Sequence, residues 1–269
     1  MRSIAIVTGA SSGVGREFVY QLCGGGGGPL DEIWIIARSK DTLAKMAAAC
    51  EKPLIRPIPL DLTLDESFCE LEAMLAQEEP CVQWLVNSAG FGTFGSFGDV
   101  GSANADMVRL NCLALVSMTS ICLPHMQPGS RIVNMASIAG LVPQPQLATY
   151  SASKAFVLEL SRMLDHELAG TGIHVTAVCP KFMRTKFLDK PGDSEAAGAM
   201  TRIGFEDVGH VVRTALRFSV LGYPVSLSCL DMQLAALAAK LLPRKTLFRI
   251  EDLLFGRCGK KERRVKSAL

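Results

Sequence analysis

Three side chains able to transfer a proton together lie between positions 137 and 154 of this chain. Tyr150 and Lys154 are four positions apart in a helical pattern, so they share one helix face. Ser137 follows an apolar run at 131–136 that predicts a strand. A free phenol has a pKa of about 10, and a nearby cation lowers it. The pattern predicts a tyrosine that exchanges a proton with a carbonyl or alcohol oxygen held by the serine. The alternative is a helix anchor, a solvated charge and a strand-end cap.

A glycine-rich turn follows the first predicted strand, and its sequence at 8–15 is T-G-A-S-S-G-V-G. Glycine lets a backbone turn tightly and approach a pyrophosphate at a helix N-terminus. We expect a dinucleotide to bind here, with an ordinary strand–helix turn as the alternative. The expected contacts are Gly9, Ser11, Ser12, Gly13, Val14 and Gly15.

The end of the second predicted strand bears on the choice between NAD and NADP. An acidic residue there would bind the ribose hydroxyls of NAD. Ala37 stands at that place instead, with Arg38 beside it. The charge and fork geometry of arginine suit a 2′-phosphate. We therefore expect NADP(H) to be preferred over NAD(H), unless Arg38 is a plain surface charge.

Strand and helix patterns alternate along the chain. Strands are predicted at 3–8, 33–37, 54–60, 82–86, 131–136, 173–178 and 223–228. Helices are predicted at 16–23, 41–50, 66–77, 103–126, 148–169, 206–220 and 230–242. Such alternation is typical of βαβ units with right-handed crossovers. It predicts an α/β fold: one doubly wound, mostly parallel, Rossmann-like sheet of seven strands with helices on both faces, spanning 1–242.

Composition excludes several classes of site. The nine cysteines include no pair at C-x-x-C spacing, so neither a zinc site nor a redox dithiol is expected, and we predict no metal. The N-terminus lacks a signal-peptide pattern, and no uncharged apolar run has the length of a membrane span. Scattered cysteines suit a reducing compartment, so we expect a cytoplasmic protein.

The C-terminal tail, 243–269, is strongly basic. It holds nine Lys/Arg and three Asp/Glu, a net charge of +6, whereas the whole chain is only +2. We expect a solvated end and no nucleic-acid partner. The alternative is a peripheral membrane contact, with four apolar residues lying under the basic tail. These are Phe248, Leu253, Leu254 and Phe255.

Taken together, the motifs resemble those of the short-chain dehydrogenase/reductase family over about 3–220. Ser137 and Tyr150 have the family's separation of 13 positions. The other matching positions, in order, are 8–15, Asp61-Leu62-Thr63, Asn87-Ser88-Ala89-Gly90, Asn111, Lys154 and Pro180.

This resemblance implies a role for each matched residue. Tyr150 would be the acid or base, Ser137 would orient the substrate oxygen, and Lys154 would tune Tyr150 and bind the nicotinamide ribose. Asn111 would hold a water that passes protons toward Lys154, unless it only marks a helix irregularity. The implied cofactor contacts are Asp61 and Leu62 on the adenine side, Asn87, Ala89 and Gly90 along the wall, and Pro180 and Thr185 near the nicotinamide.

The chain also departs from the family pattern. Ser88 stands where asparagine is usual, and Lys181 stands where glycine usually follows Pro180. The family's glycine-rich ending is missing, which favours a homodimer through the two long helices over a tetramer.

We therefore expect an NADP(H)-dependent enzyme that reduces a carbonyl compound or oxidises a secondary alcohol. The second hypothesis is a non-catalytic dinucleotide sensor or partner-binding protein, which would not need all four catalytic-type residues. Apolar residues predict a lipophilic substrate such as a steroid or an acyl chain, with loop packing as the alternative. They are Phe91, Phe94, Phe97, Leu141, Val142, Phe182, Met183 and Phe187.

Overall fold

The computed structural model describes residues 2–50, 53–142, 144, 146–183, 204–243 and 245–249. Its first part contains β1 (Ser3–Thr8), α1 (Gly13–Cys23), β2 (Glu32–Ala37), α2 (Lys40–Ala47), β3 (Leu54–Pro59), α3 (Asp65–Glu78) and β4 (Cys81–Asn87). The middle contains α4 (Phe97–Val100), α5 (Ala103–Val108), α6 (Ala114–Cys122), β5 (Arg131–Met135), α7 (Ala148–Glu167) and β6 (His174–Val178). The last elements are α8 (Val208–Val220), β7 (Val225–Ser226) and α9 (Leu230–Leu241).

The strands form one sheet in the order β3-β2-β1-β4-β5-β6-β7. Every neighbouring pair is parallel, so the doubly wound fold predicted from the sequence is confirmed. The chain order reverses direction between β1 and β4, and ligands of such sheets bind at that point, beyond the carboxyl ends of the strands. β3 lies at the edge, as expected from Pro57 and Pro59.

The strands are buried on both faces because helices cover both. Along β1, Ala5 and Val7 pack with α1, α2 and α8, whereas Ile4 and Ile6 pack with α3 and α6. A third cluster packs Val157 and Leu158 of α7 against the ends of β5 and β6. The uninterrupted apolar runs of the sequence therefore correspond to strands covered on both sides.

Two elements differ from the sequence prediction. The helix expected at 103–126 is interrupted by a π-helical turn, Arg109–Leu113, and ends in a 3-10 turn. The seventh strand is two residues long instead of the six expected, because the chain leaves the sheet after Ser226. Ser228 instead donates a hydrogen bond to Glu206, 2.7 Å away.

By length and composition, one helical run of the described residues, Ala103–His125, could span a bilayer, because an 18-residue stretch of it has a mean hydropathy of 1.5. Half of it is buried inside the protein. Ala114, Met118 and Cys122 pack beneath the sheet, so a core position accounts for much of its apolar character. The division at 242 stays a prediction, since most of 243–269 lies outside the described residues.

Candidate active site

A cleft of about 1120 Å³ lies beyond the carboxyl ends of the strands. Most of the site residues predicted from the sequence line it: Gly9, Ser11, Ser12, Gly13, Val14, Arg38, Asp61, Leu62, Ala89, Gly90, Ser137, Tyr150, Lys154 and Pro180. Gly15, Asn87 and Asn111 lie behind this lining. Thr185 and Phe187 fall outside the described residues.

The glycine turn is packed against the loop that follows β4. Gly9 has φ +64°, and a Cβ there would lie 2.9 Å from Ala89 Cα. A Cβ on Gly15 would lie 2.4 Å from the Gly9 carbonyl oxygen, so only glycine lets α1 begin so close to β1. The Thr8 hydroxyl accepts hydrogen bonds from the backbone N–H of Ser88 and Ala89 at 3.0 and 3.1 Å. Thr8 thus sets the distance between the two loops.

At the far end of the cleft, Ala37 and Arg38 face Asp61. The Asp61 carboxylate accepts bonds from the Thr63 N–H at 3.0 Å and the Thr63 hydroxyl at 2.8 Å. Burial raises the pKa of Asp61, but the bonds from Thr63 and the charge of Arg38 outweigh burial and lower it overall. Among the described side chains Arg38 has no ion-pair partner within 4.0 Å, so its guanidinium is available to a ligand.

Ser137, Tyr150 and Lys154 converge at the centre of the cleft. Ser137 follows β5, and its side chain hydrogen-bonds to the phenol of Tyr150. Lys154 is only 6 % exposed, and its Nζ donates to the Met135 carbonyl at 2.7 Å. The same Nζ lies 5.7 Å from the centre of the Tyr150 ring. The predicted constellation is therefore assembled in space.

The expected direction of the Tyr150 pKa was wrong. Burial raises the pKa of Tyr150 to about 12, although the hydrogen bond from Ser137 acts in the opposite direction. Burial also lowers the pKa of Lys154 to about 8, so the ammonium form still prevails at neutral pH. The sequence showed that a cation was near but did not show how strongly the site excludes water.

The Asn111 side chain holds the loop after β4. It lies in the π-helical turn and is 1 % exposed. Its Oδ1 accepts from the Phe91 N–H at 3.0 Å, and its Nδ2 donates to the Phe91 carbonyl at 2.9 Å and to the Ser153 hydroxyl at 3.1 Å. Both amide hydrogens are thus used, so the side chain could hold a relay water only through the second lone pair of Oδ1. A Cβ on Gly90 would lie 2.8 Å from Oδ1, which explains glycine there.

Asn87 lies below the floor of the cleft and is 4 % exposed. Its Nδ2 donates to Thr119 Oγ1 at 3.1 Å and to Asn134 Oδ1 at 2.9 Å. Asn134 in turn donates to the Ser161 hydroxyl at 2.9 Å. This buried polar chain joins β4 and β5 to the two long helices, so the Asn87 side chain supports the wall that Ala89 and Gly90 form.

A family model described as short chain dehydrogenase matches residues 3–196, most of the chain and all of the site described so far. The chain belongs to the short-chain dehydrogenase family.

This dehydrogenase is 30% identical over 223 residues to the very-long-chain 3-oxoacyl-CoA reductase of Rattus norvegicus, a match covering 78% of this chain and 70% of the relative. It is 33% identical over 192 residues to very-long-chain 3-oxoacyl-CoA reductase-B of Danio rerio, covering 68% of this chain and 60% of the relative. A substantial part of each relative therefore has no counterpart in the match.

Two solved structures resemble the dehydrogenase along most of their length. The short-chain dehydrogenase of Sphingobium yanoikuyae, in complex with NADPH, has a TM-score of 0.74 at 27% identity, covering 93% of this chain and 96% of that one. One from Burkholderia phymatum, in complex with NAD, has a TM-score of 0.76 at 23% identity, covering 89% and 95%. The second likeness is one of fold alone.

The part of the cleft wall at Lys181 is held by a residue that sequence reasoning missed. Glu206 is 6 % exposed, and its Oε2 accepts from the Lys181 N–H at 2.8 Å. Its Oε1 accepts from the Ser228 hydroxyl at 2.7 Å and from the Cys229 thiol at 2.6 Å. We call these four residues the Glu206 clasp. The only signal in the sequence was the unusual Lys181, whose Nζ also pairs with Asp231 at 2.8 Å.

Proposed function

We propose that this short-chain dehydrogenase uses NADP(H) to reduce a lipophilic carbonyl compound, or to oxidise the corresponding secondary alcohol. The single observation that carries the proposal is the convergence of Ser137, Tyr150 and Lys154 on a cleft that begins at the glycine turn. A sensor that only binds a dinucleotide has no need of that convergence.

The lining of the cleft fits a nicotinamide dinucleotide. Gly9 and Gly13 have positive φ and leave room for a pyrophosphate at the start of α1. Asp61 and Leu62 would border the adenine, and Lys154 would bind the nicotinamide ribose. The bound cofactor would supply or accept the hydride, whereas the protein supplies position and a proton.

Tyr150 is the proposed proton donor for a carbonyl oxygen. With its pKa raised to about 12, its phenol is protonated at neutral pH, which suits reduction better than oxidation. Ser137 would hold the same oxygen and stabilise its developing charge. The ammonium of Lys154 would stabilise the phenolate that remains, and Asn111 would hold a water that passes protons toward Lys154.

The preference for NADP(H) rests on the residues at the end of β2. A carboxylate at position 37 would repel a 2′-phosphate, which carries nearly two negative charges, and Ala37 brings no such charge. Arg38 would give a charge-assisted hydrogen bond worth about 1.5–3 kcal/mol, which is roughly one to two decades of preference.

The cofactor test compares kcat/KM for NADPH and NADH with one carbonyl substrate. The parent should prefer NADPH, and the double variant Ala37→Asp, Arg38→Leu should lose or reverse the preference. Tyr150→Phe is the catalytic control. It should lower turnover by about 10²–10⁴-fold while NADPH still binds. A parent that uses NADH better would refute the cofactor assignment, and a Tyr150→Phe variant that keeps most of its turnover would refute the proposed acid.

The lipophilic substrate class rests on three apolar side chains that line the cleft: Phe91, Phe182 and Met183. Of the other apolar residues predicted, Phe97 is 68% exposed.

The relatives named as 3-oxoacyl-CoA reductases make 3-oxoacyl thioesters the first compounds to test. Catalytic efficiency should rise with chain length across a panel of ketones and 3-oxoacyl thioesters, with NADPH oxidation as the readout. A preference for small polar ketones would contradict the class, and NADPH binding without any turnover would favour the sensor. The homodimer and the cytoplasmic location stay predictions.

A further inference from the structure

Helix α9 presents a row of leucines to solvent. Leu230, Leu234, Leu237 and Leu241 are 76%, 67%, 54% and 75% exposed. Their spacing of four, three and four places them on one side of the helix, which we call the leucine face. Met232 and Ala236, on the other side, are buried against the rest of the protein. The helix is therefore apolar on two sides, and within the part of the chain that the structure describes only the side with Met232 and Ala236 is covered.

After Asp231 the charges along this part of the chain are positive as far as position 250. No Asp or Glu occurs at 232–250, whereas four Lys or Arg do. Lys240 on α9 is exposed, as are Lys245 and Arg249 of the helical stretch 245–249. The nearest carboxylate in sequence, Asp231, is paired with Lys181. Among the described residues, Lys240, Lys245 and Arg249 have no ion-pair partner. A lipid surface, with anionic headgroups over an apolar interior, is complementary to such cations next to an apolar helix face.

We propose that the leucine face docks on an anionic lipid surface. With 12 residues α9 is shorter than the roughly 20 needed to cross a bilayer. A helix of this length, with leucines on one side and Lys240 in its last turn, lies in the plane of the interface with its apolar face under the headgroups.

Charge argues against a second copy of the chain as the occupant. In a two-fold contact between antiparallel α9 helices, Lys240 of one copy would face the helix start of the other. The carboxylate there, Asp231, is already paired with Lys181 of its own chain. Four leucines also form a narrow patch, and a stable interface buries about 1,000 Å² or more. An anionic membrane carries the charge opposite to that of the cations, and the narrow leucine face can insert between its headgroups.

The position of α9 links this face to the cleft. The Lys181–Asp231 pair ties the first turn of α9 to a residue that lines the cleft. Docking would therefore bring the wall formed by Lys181 and Phe182 near the lipid. The docking itself does not depend on the proposed reaction, because it can be measured without substrate.

Co-sedimentation of the full-length protein with vesicles tests the proposal. We expect binding to vesicles of phosphatidylcholine mixed with phosphatidylglycerol, and much weaker binding to phosphatidylcholine alone. The double variant Leu234→Gln, Leu237→Gln should bind at least about tenfold more weakly, since each leucine loses apolar burial. The matched control is Leu54→Gln, Leu221→Gln, which alters two leucines that are each 58% exposed elsewhere, and should bind like the parent.

The charge arm uses Lys240→Glu with Lys245→Glu. Each cation near an anionic surface contributes about fivefold, so this variant should lose at least about 25-fold on the anionic vesicles. Circular dichroism and NADPH binding check that each variant is folded. Three results would overturn the proposal: no binding of the parent to anionic vesicles, equal loss in the control pair, or a change in the mass of the lipid-free protein in the leucine variant. The last would identify a second copy as the occupant.

Discussion

Two loops border the cleft, and each is held by one buried polar side chain. One of these side chains is an amide and the other is a carboxylate. The amide of Asn111 holds the loop at Phe91, and the carboxylate of Glu206 holds the loop at Lys181. Their exposed fractions are similar, 1 % and 6 %. An amide both donates and accepts, so Asn111 satisfies the N–H and the C=O of a single residue. An ionised carboxylate only accepts, so Glu206 gathers three donors from two separate parts of the chain.

This difference explains which loop the sequence revealed. Asn111 is a polar residue in an apolar helix, and it matches a motif position of the short-chain dehydrogenase family. The sequence therefore predicts it as a site residue. The Glu206 clasp joins residues 25 and 23 positions apart, with no fixed spacing to recognise. A polar residue inside an apolar helix can be recognised in the sequence. A carboxylate that accepts from distant segments has no fixed spacing to its donors, so the sequence does not reveal it.

The largest expected effect comes from replacing the amide that holds the loop at Phe91 by a carboxylate. Asn111→Asp keeps the shape but loses both amide hydrogens and turns a carboxylate toward the Phe91 carbonyl. We expect a loss of about 3–5 kcal/mol in the free energy of unfolding, as for an unpaired buried charge, measured in urea. Asn104 also donates to two carbonyls but lies in an exposed setting, so Asn104→Asp is the control and should cost far less. If the two variants lost the same free energy of unfolding, burial of Asn111 would not be the reason for its large contribution.

The reciprocal exchange should have a smaller effect. Glu206→Gln keeps one acceptor oxygen, but its NH₂ faces a donor, so we expect a loss of about 1–3 kcal/mol. Because Lys181 and Phe182 line the cleft, the KM for the carbonyl substrate should rise while the Kd for NADPH stays nearly unchanged. Asp231→Asn is the matched control, since it removes an exposed ion pair and leaves the Lys181 N–H bond in place. A rise in the Kd for NADPH alone would show that the clasp serves the cofactor side.

The smallest effect concerns the thiol of the clasp. Burial, followed by the hydrogen bond and charge of Glu206, raises the pKa of Cys229 to about 11, so its thiolate is scarce. In Glu206→Gln the alkylation of Cys229 by iodoacetamide should become several-fold faster, as followed by peptide mass spectrometry. Cys112, whose pKa burial also raises, lies near Lys154 and not near Glu206, and should react at the same rate in both proteins. An unchanged alkylation rate at Cys229 would show that the Glu206 carboxylate does not raise the pKa of the thiol.

Patterns within single elements predicted most of the fold and the central triad. Alternating strands and helices predicted the parallel sheet, and the i, i+4 spacing placed Tyr150 and Lys154 together. Two properties depend on packing between elements and could not be predicted. The pKa of Tyr150 follows from how completely the site is buried, and the place of Asn87 below the floor follows from Thr119 and Asn134. Past the short β7, Ser228 bonds to Glu206, 22 positions away in the chain, and no pattern within the strand indicates that contact.

The edge strand β3 has a consequence for association between molecules. A free strand edge is a template on which another chain can add a strand and so begin an aggregate. β3 pairs with β2 on one side only, and Pro57 and Pro59 bring no N–H to the ladder. A proline in a sheet is accommodated where the missing donor would have pointed away from the neighbouring strand. The outer edge of the sheet therefore offers an incoming strand two fewer donors at alternate positions, which protects this side of the protein against growth into fibres.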